Sequence, residues 1–327
     1  MTRNLTVEEI LRGMGRGRTQ TVGHMSVIPL IDEGDAQDDD FAPPDFHVET
    51  SNYGTVQVRN TDSTRPSIVP TGAGWVTRER AQDHAVPSAF LVKANGRKSI
   101  ETAMCIEDSQ GGYIRDQKAI TMLVLPASIR SHALSMRHRQ GYDKIWPHIR
   151  SLNKESGVPH TGGHLTYFLK HFEKQLDEFV AEFELVPKQI GAIILLGENV
   201  VGVERAPNMA FWERVWEPLI RVCYGSLAIQ YQKRHRQASK FFVPMSVEVK
   251  SLAGIHRALK NANAQVKLLS EKTIEHVTQQ PLLSEGAADS RLPKMSVATV
   301  ANQQLAGQIL YKERQGYPYV SLCSAGA

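Results

Sequence analysis

A chain of 327 residues with 41% apolar and 22% charged side chains has the makeup of a globular protein with a real core, in one large domain or two ordinary ones. No apolar run approaches the roughly 20 residues that cross a bilayer. The first residues lack a signal-peptide stretch, and Cys105, Cys223 and Cys323 stand too far apart for a disulfide framework or a Cys-x-x-Cys clip. A net charge of +4 is too mild to name a partner, so a reduced, cytoplasmic setting without a membrane is the expectation.

Thr6 and Glu9 have capping-box spacing, which predicts a short helix from Val7 to Arg12. Gly13, Gly15 and Gly17, interleaved with Arg16 and Arg18, lack the strand-turn-helix setting of a nucleotide fingerprint and read as a flexible leader. MSVIPLI predicts a strand. FHVETS and TVQVRN, joined through Asn52, Tyr53 and Gly54, predict a second and third, and SIVPTG another. SAFLVKA and KSIETAMCIED flank Asn95-Gly96, the strongest hairpin signal in the chain. In that hairpin Glu101, Cys105 and Glu107 would share one face.

After Gly112 the period turns helical. Phe168, Phe172, Leu176, Phe179 and Phe183 predict an amphipathic helix over 165–185. QIGAIILL and VVGVER predict a hairpin turning at 197–199, and Asn208 an N-cap for a long helix carrying Phe211, Trp212 and Trp216. Residues 250–279 are polar and helix-compatible, 281–295 resemble a linker, and the last stretch reads as a strand pair turning at Gln315-Gly316. The reading is an α+β protein: a leader (1–22), a module (23–249) that is strand-rich and antiparallel over 23–112 and helix-rich over 113–249, and an appendage (250–327).

Chemistry concentrates between Gly72 and His84. Arg78 and Arg80 are suited to fork phosphates, and Glu79, Gln82 and Asp83 to hold a ribose hydroxyl or a water; the alternative is a surface loop with internal ion pairs. Glu107 beside Asp108 is either a general base or a solvated strand end. Cys105, flanked by acids, should have a raised pKa and a structural role. His160, His164 and His171 lack the glutamate of a zinc helix, and no metal is assigned. The basic repeats at Arg137–Gln140 and Arg234–Gln237 raise nucleic acid as a partner, but no aromatic platform accompanies them.

Three stretches carry a resemblance: MSVIPL with FHVETSNYGTVQVRN; PSIVPTGAGWVTRERAQDHAVPSAFLVKANGRKSIETAMCIED; and AIILLGENVVGVERAPNMAFWERVWEPLIRVCYGSLAIQ. Together, over roughly Leu11 to Gln237, the chain resembles the domain family named for its association with ADP-ribosylglycohydrolase and rhodanese-phosphatase superfamily proteins. Glu204 stands at the matching acidic position of the closing hairpin, with Arg205 beside it. The family's central block reads as a Gly-Glu-Glu turn followed by a Gln-Asn-Arg signature. Here Gly72-Ala73-Gly74 replaces the turn, and Glu79, Arg80, Gln82 and Asp83 are the nearest equivalents.

The resemblance implies an NAD- or ADP-ribose-like ligand in a phage or bacterial conflict system. Glu79, Asp83 and Glu107 are the catalytic candidates, and Arg78, Arg80, Gln82, Glu204 and Arg205 the ligand-binding ones. Loss of the paired glutamates leaves catalysis open, and no cofactor is assigned. The alternative is an interaction protein whose residues after 250 dock a partner or another copy; nucleic-acid binding ranks third.

Overall fold

The computed structural model describes residues 5–34, 40–77, 82–108, 112, 120–160, 162–236 and 271–324. They form an α+β fold around one eleven-stranded antiparallel sheet, with smaller sheets and helices packed on it. Inside the sheet Gln189–Leu196 is buried along its whole length. Ala192, Ile194 and Leu196 face one core, while Ile193 and Leu195 face another. That is the period-two alternation of a strand covered on both sides. Asn199–Arg205 pairs with it on one edge and Met25–Asp32 on the other.

The sheet curls. Its main path carries nine strands and runs from Leu5–Thr6 at one end to Met14–Arg16 at the other. Laid flat, nine strands would put those ends about 38 Å apart at ~4.8 Å spacing. The segment from Thr6 to Met14 reaches only about 28 Å when fully extended. It also contains the Val7–Ile10 helix, whose capping box forms between Thr6 and Glu9. The ends are therefore drawn toward each other around an inner core that includes Val7, Ile10, Ile193, Val203, Ile274, Val277 and Leu322. The glycine-arginine segment expected as a leader supplies this closing strand, because Met14–Arg16 pairs with Leu30–Asp32.

The stretch set apart as an appendage also belongs to this sheet. Gly316–Ser324 pairs with Asn199–Arg205 on one side and with Leu305–Lys312 on the other, and Met295–Ala301 and Pro281–Ser284 follow outward. Residues 271–279 form a helix whose Ile274 and Val277 enter the inner core. The strand pair turning near Gly316 forms as expected, between Leu305–Lys312 and Gly316–Ser324.

The outer core is built on Met209–Glu217. Asn208 caps it, accepting from the Phe211 amide at 2.8 Å and donating to the Phe41 carbonyl at 2.9 Å. Phe211, Trp212, Val215 and Trp216 are buried against the sheet. Pro218, which has no amide hydrogen, opens a π-helical segment, Pro218–Tyr224, that leads into Gly225–Arg236. Asn208→Ala removes both bonds and should cost about 1–2 kcal/mol in chemical denaturation.

Two local expectations are corrected. Asn95 does turn the chain, at φ 47°, but the flanking strands do not pair with each other. Phe90–Val92 pairs with Ser67–Val69, and Arg97–Ile100 with Thr55–Asn60. The second strand also ends at Ile100, and Met104–Cys105 starts anew against His84–Ala85, so Glu101, Cys105 and Glu107 share no common strand face. The helix predicted over 165–185 is two, Leu165–His171 and Glu173–Ala181, hinged at Phe172. The hairpins at Gly54 and at 197–199 form as read.

Candidate active site

Residues on either side of a short strand ladder come together at the end of the Ala73–Thr77 strand. Cys105 pairs with His84 and Met104 with Ala85. Continuing that register sets Ile106 beside Asp83, where the Ile106 amide donates to the Asp83 carbonyl at 3.1 Å. Glu107 thereby falls opposite Gln82, and its charge reaches Asp83.

Asp83 is almost fully buried. Its Oδ1 accepts from the Thr77 amide at 2.7 Å and the Thr77 hydroxyl at 3.1 Å. Burial pushes its carboxyl up to about 7; the bonds from Thr77 and the charge of Lys170 oppose the rise, and Glu107 adds to it. A carboxyl with that value gives or takes a proton readily at neutral pH.

Glu107 is also buried. One oxygen lies 3.6 Å from His164 Nδ1, and the other, Oε1, has no hydrogen-bond partner. Gln82 Oε1 is likewise buried without one. Buried polar atoms in folded proteins are nearly always satisfied, so these two orphans mark a place where a ligand or water would bind. His164 Nε2 lies 2.5 Å from Asp108 Oδ1, and Asp108 Oδ2 accepts the Gly163 amide at 2.8 Å. Asn153 holds this turn, donating from Nδ2 to the carbonyls of Gly162 and His164. Contacts thus run from Glu107 through His164 to Asp108, and Asp83 is linked to Glu107 by charge; Asp108 is the most exposed of the four.

Next to it, His84 and Cys105 are fully buried and 3.7 Å apart. His84 Nδ1 faces the Gln82 carbonyl at 2.8 Å and so carries the hydrogen. Nε2 therefore accepts the Gly54 amide at 3.4 Å. Burial pushes the imidazole down to about 4 and the Cys105 thiol up to about 12. At neutral pH both are uncharged, and this thiol is not a nucleophile.

Glu204 and Arg205 lie elsewhere. Glu204 Oε1 accepts from Arg130 at 2.7 Å and from the Tyr224 hydroxyl at 2.6 Å, and Arg130 also donates to Ser321 at 2.8 Å. Arg130 and Glu204 are both almost wholly buried. Arg205 donates to the Ile10 carbonyl at the inner core. Arg130 packs on Gly72, whereas Asp83 binds Thr77. The length of the intervening strand, roughly 17 Å at 3.3–3.4 Å per residue, separates the two clusters. Arg78, Glu79 and Arg80 lie outside the described residues.

The basic repeats are engaged in ion pairs. Arg137 is buried and pairs with Glu285 and Asp289, and Arg234 pairs with Glu155. In the sequence His164 stands out only as a possible metal ligand, and neither Lys170 nor the Asp108–His164 contact is evident there. The glycine pair before His164 is the one signal that points there, because it lets that turn approach Asp108.

A curled antiparallel sheet with helices packed on it, carrying a buried carboxylate–histidine cluster at the end of a side strand, defines an α+β protein. The chain belongs to the ARG and Rhodanese-Phosphatase-superfamily-associated Protein domain family, whose model matches residues 14–292. The match runs past the helices into Pro281–Ser284 and Ser290–Leu292, in keeping with their place in the main sheet. No curated protein and no solved structure matches the chain. Among the described residues, no helix is long and apolar enough to cross a membrane.

Proposed function

We propose that the chain binds and processes an NAD- or ADP-ribose-like ligand at the Asp83–Glu107 cluster, as part of a phage or bacterial conflict system in the cytoplasm. The observation that carries this reading is the buried carboxyl pair, with Asp83 at about 7 and Glu107 Oε1 unsatisfied. One carboxyl that gives a proton and a second that accepts one are the pair used for cleavage at a ribosyl carbon. Asp83 in its acid form gives its proton to the leaving group as the C–N or C–O bond breaks. Glu107 takes a proton from the water that forms the new C–O bond. His164, held by Asp108, orients Glu107.

The family's association with proteins of the ADP-ribosylglycohydrolase type supports the ligand class. Arg78 and Arg80, which precede Gln82 in sequence, supply the phosphate contacts in this reading, and Glu79 a further carboxylate. Glu204 and Arg205 are assigned to the fold.

Calorimetry with ADP-ribose and NAD tests the proposal. Heat of binding is expected for the wild type, with affinity reduced about tenfold or more in Glu107→Gln, which removes a charge-assisted contact. No heat at millimolar ligand, from protein shown to be folded, overturns it.

A further inference from the structure

The carboxylate cluster has one edge lined by rings. Tyr53 and Tyr142 are 47% and 39% exposed, two of the five large apolar side chains that reach solvent among the described residues. Their ring centroids lie 5.5 Å apart. Tyr142 meets Trp146 edge-on at 5.7 Å, and Trp146 donates from Nε1 to the Cys105 carbonyl at 3.0 Å. From Trp146 the row reaches the acids across Gly163: a Cβ built on Gly163 would lie 3.0 Å from Trp146 Cβ and 3.1 Å from Asp108 Oδ2. Tyr167 adds a ring on the other side, 4.5 Å from His164 and inclined by 30°.

These rings are held in place. Gly54 turns the hairpin tip at φ +79°, and any side chain there would sit 3.1 Å from Tyr142 Cβ. Glycine is therefore what lets the tip carrying Tyr53 close on Tyr142. The Gly54 amide is tied to His84 Nε2 beneath it, and the Tyr142 carbonyl accepts the Cys105 amide at 2.8 Å. His84 and Cys105 also form the strand pair that sets Ile106 beside Asp83 and thereby places Glu107 one residue further along, so one ladder positions both the acids and the rings. Partly exposed aromatic side chains beside a polar cluster suit a ligand that is planar at one end and polar at the other.

We infer that Tyr53, Tyr142 and Trp146 form a stacking platform for the planar base of a nucleotide-type ligand whose sugar enters past Asp108 toward Glu107. The inference rests on the proposed function of this site and adds its base-recognition half. Stacking accepts any flat heteroaromatic ring, so an adenine-bearing ligand binds in preference to its sugar phosphate alone.

Trp146 supplies the readout, because it is half-buried whereas Trp75, Trp212 and Trp216 are buried. The full chain is titrated by tryptophan fluorescence with AMP, ADP-ribose and ribose 5-phosphate. AMP and ADP-ribose are expected to quench, ribose 5-phosphate is not, and Trp146→Phe abolishes the signal. Tyr53→Ala, a change on an exposed turn, is expected to weaken AMP binding about tenfold, while Tyr53→Phe retains it. Equal AMP affinity in Tyr53→Ala and wild type, or equal binding of ribose 5-phosphate and AMP, overturns the platform.

The two readings fail separately. If Tyr53→Ala leaves ADP-ribose binding intact while Glu107→Gln abolishes it, the platform falls and the carboxylate site stands. If Tyr53→Ala weakens AMP binding but ADP-ribose binds no better than AMP and Glu107→Gln changes neither, the platform stands and the proposed function falls. Absence of binding by all three ligands to folded protein overturns both.

Discussion

Asp83→Asn is expected to make the protein more stable at pH 8, by roughly 2–4 kcal/mol, and to leave its stability near pH 4 almost unchanged. The sign follows from the raised carboxyl. Unfolded, Asp83 ionises near 3.8; folded, it holds its proton up to about 7. Between those values the folded state binds more protons than the unfolded one, so stability falls as pH rises through the window, and above it the full penalty applies. Asparagine keeps the oxygen that accepts from Thr77 and removes the charge that is buried near Glu107. Urea denaturation of both proteins at pH 4 and pH 8 measures the difference, and an Asn variant no more stable than wild type at pH 8 would show that Asp83 carries no such penalty. A carboxyl that weakens its own fold at working pH is the trade expected of a functional group.

His84 contributes with the opposite sign over much of the same range. Its imidazole titrates near 6.5 when unfolded and is pushed down to about 4 when buried. The unfolded chain therefore takes up the proton first, and stability is lost as pH falls from 6.5 toward 4. In wild type the two slopes oppose each other. In Asp83→Asn the opposing slope is gone, His148, lowered by burial and by His132, adds to that of His84, and stability should climb from pH 4 to pH 6.5.

The second large effect lies in the buried ion pair. Glu204→Ala should lower stability by about 3–5 kcal/mol, because it strands the Arg130 guanidinium in the core. Burial opposes that charge, and Glu204 with the neighbouring Cys323, Cys223 and Tyr224 outweighs the opposition, holding Arg130 above its ordinary range. Replacing both partners with apolar residues, as in Arg130→Met with Glu204→Leu, should recover most of the loss. Denaturation of the single and double variants checks this. A Glu204→Ala protein as stable as wild type with weakened ADP-ribose binding would return Glu204 to the ligand site.

Features set by neighbours in sequence were legible. The Thr6–Glu9 box, the Asn208 cap and the turn at 197–199 depend on a few consecutive residues, and each formed. Asn95-Gly96 shows the limit: its chemistry dictates a reversal, with Asn95 at φ 47°, but not which strands pair afterwards. The C-terminal strands were hidden for another reason. Pro281–Ser284 lies toward the edge of the sheet and buries only Leu282, so it has no apolar alternation to announce it. Within the site, Asp83 and Glu107 stood out singly as acids. Their meeting depends on the register of Cys105 with His84, and His164 joins them from a separate helix start. No spacing rule reports such contacts.

The position of Gly316–Ser324 inside the sheet has a consequence for how the protein is made. Asn199–Arg205 has its hairpin partner Gln189–Leu196 already synthesised when it leaves the ribosome, but the partner for its other edge is made only after residues 206–315. Throughout that interval a strand destined for the middle of the sheet presents open backbone and the apolar Val200, Val201 and Val203. Unpaired strand edges of this kind are where nascent chains associate wrongly. Translation speed and chaperone supply should therefore govern the yield of folded protein as strongly as its final stability does.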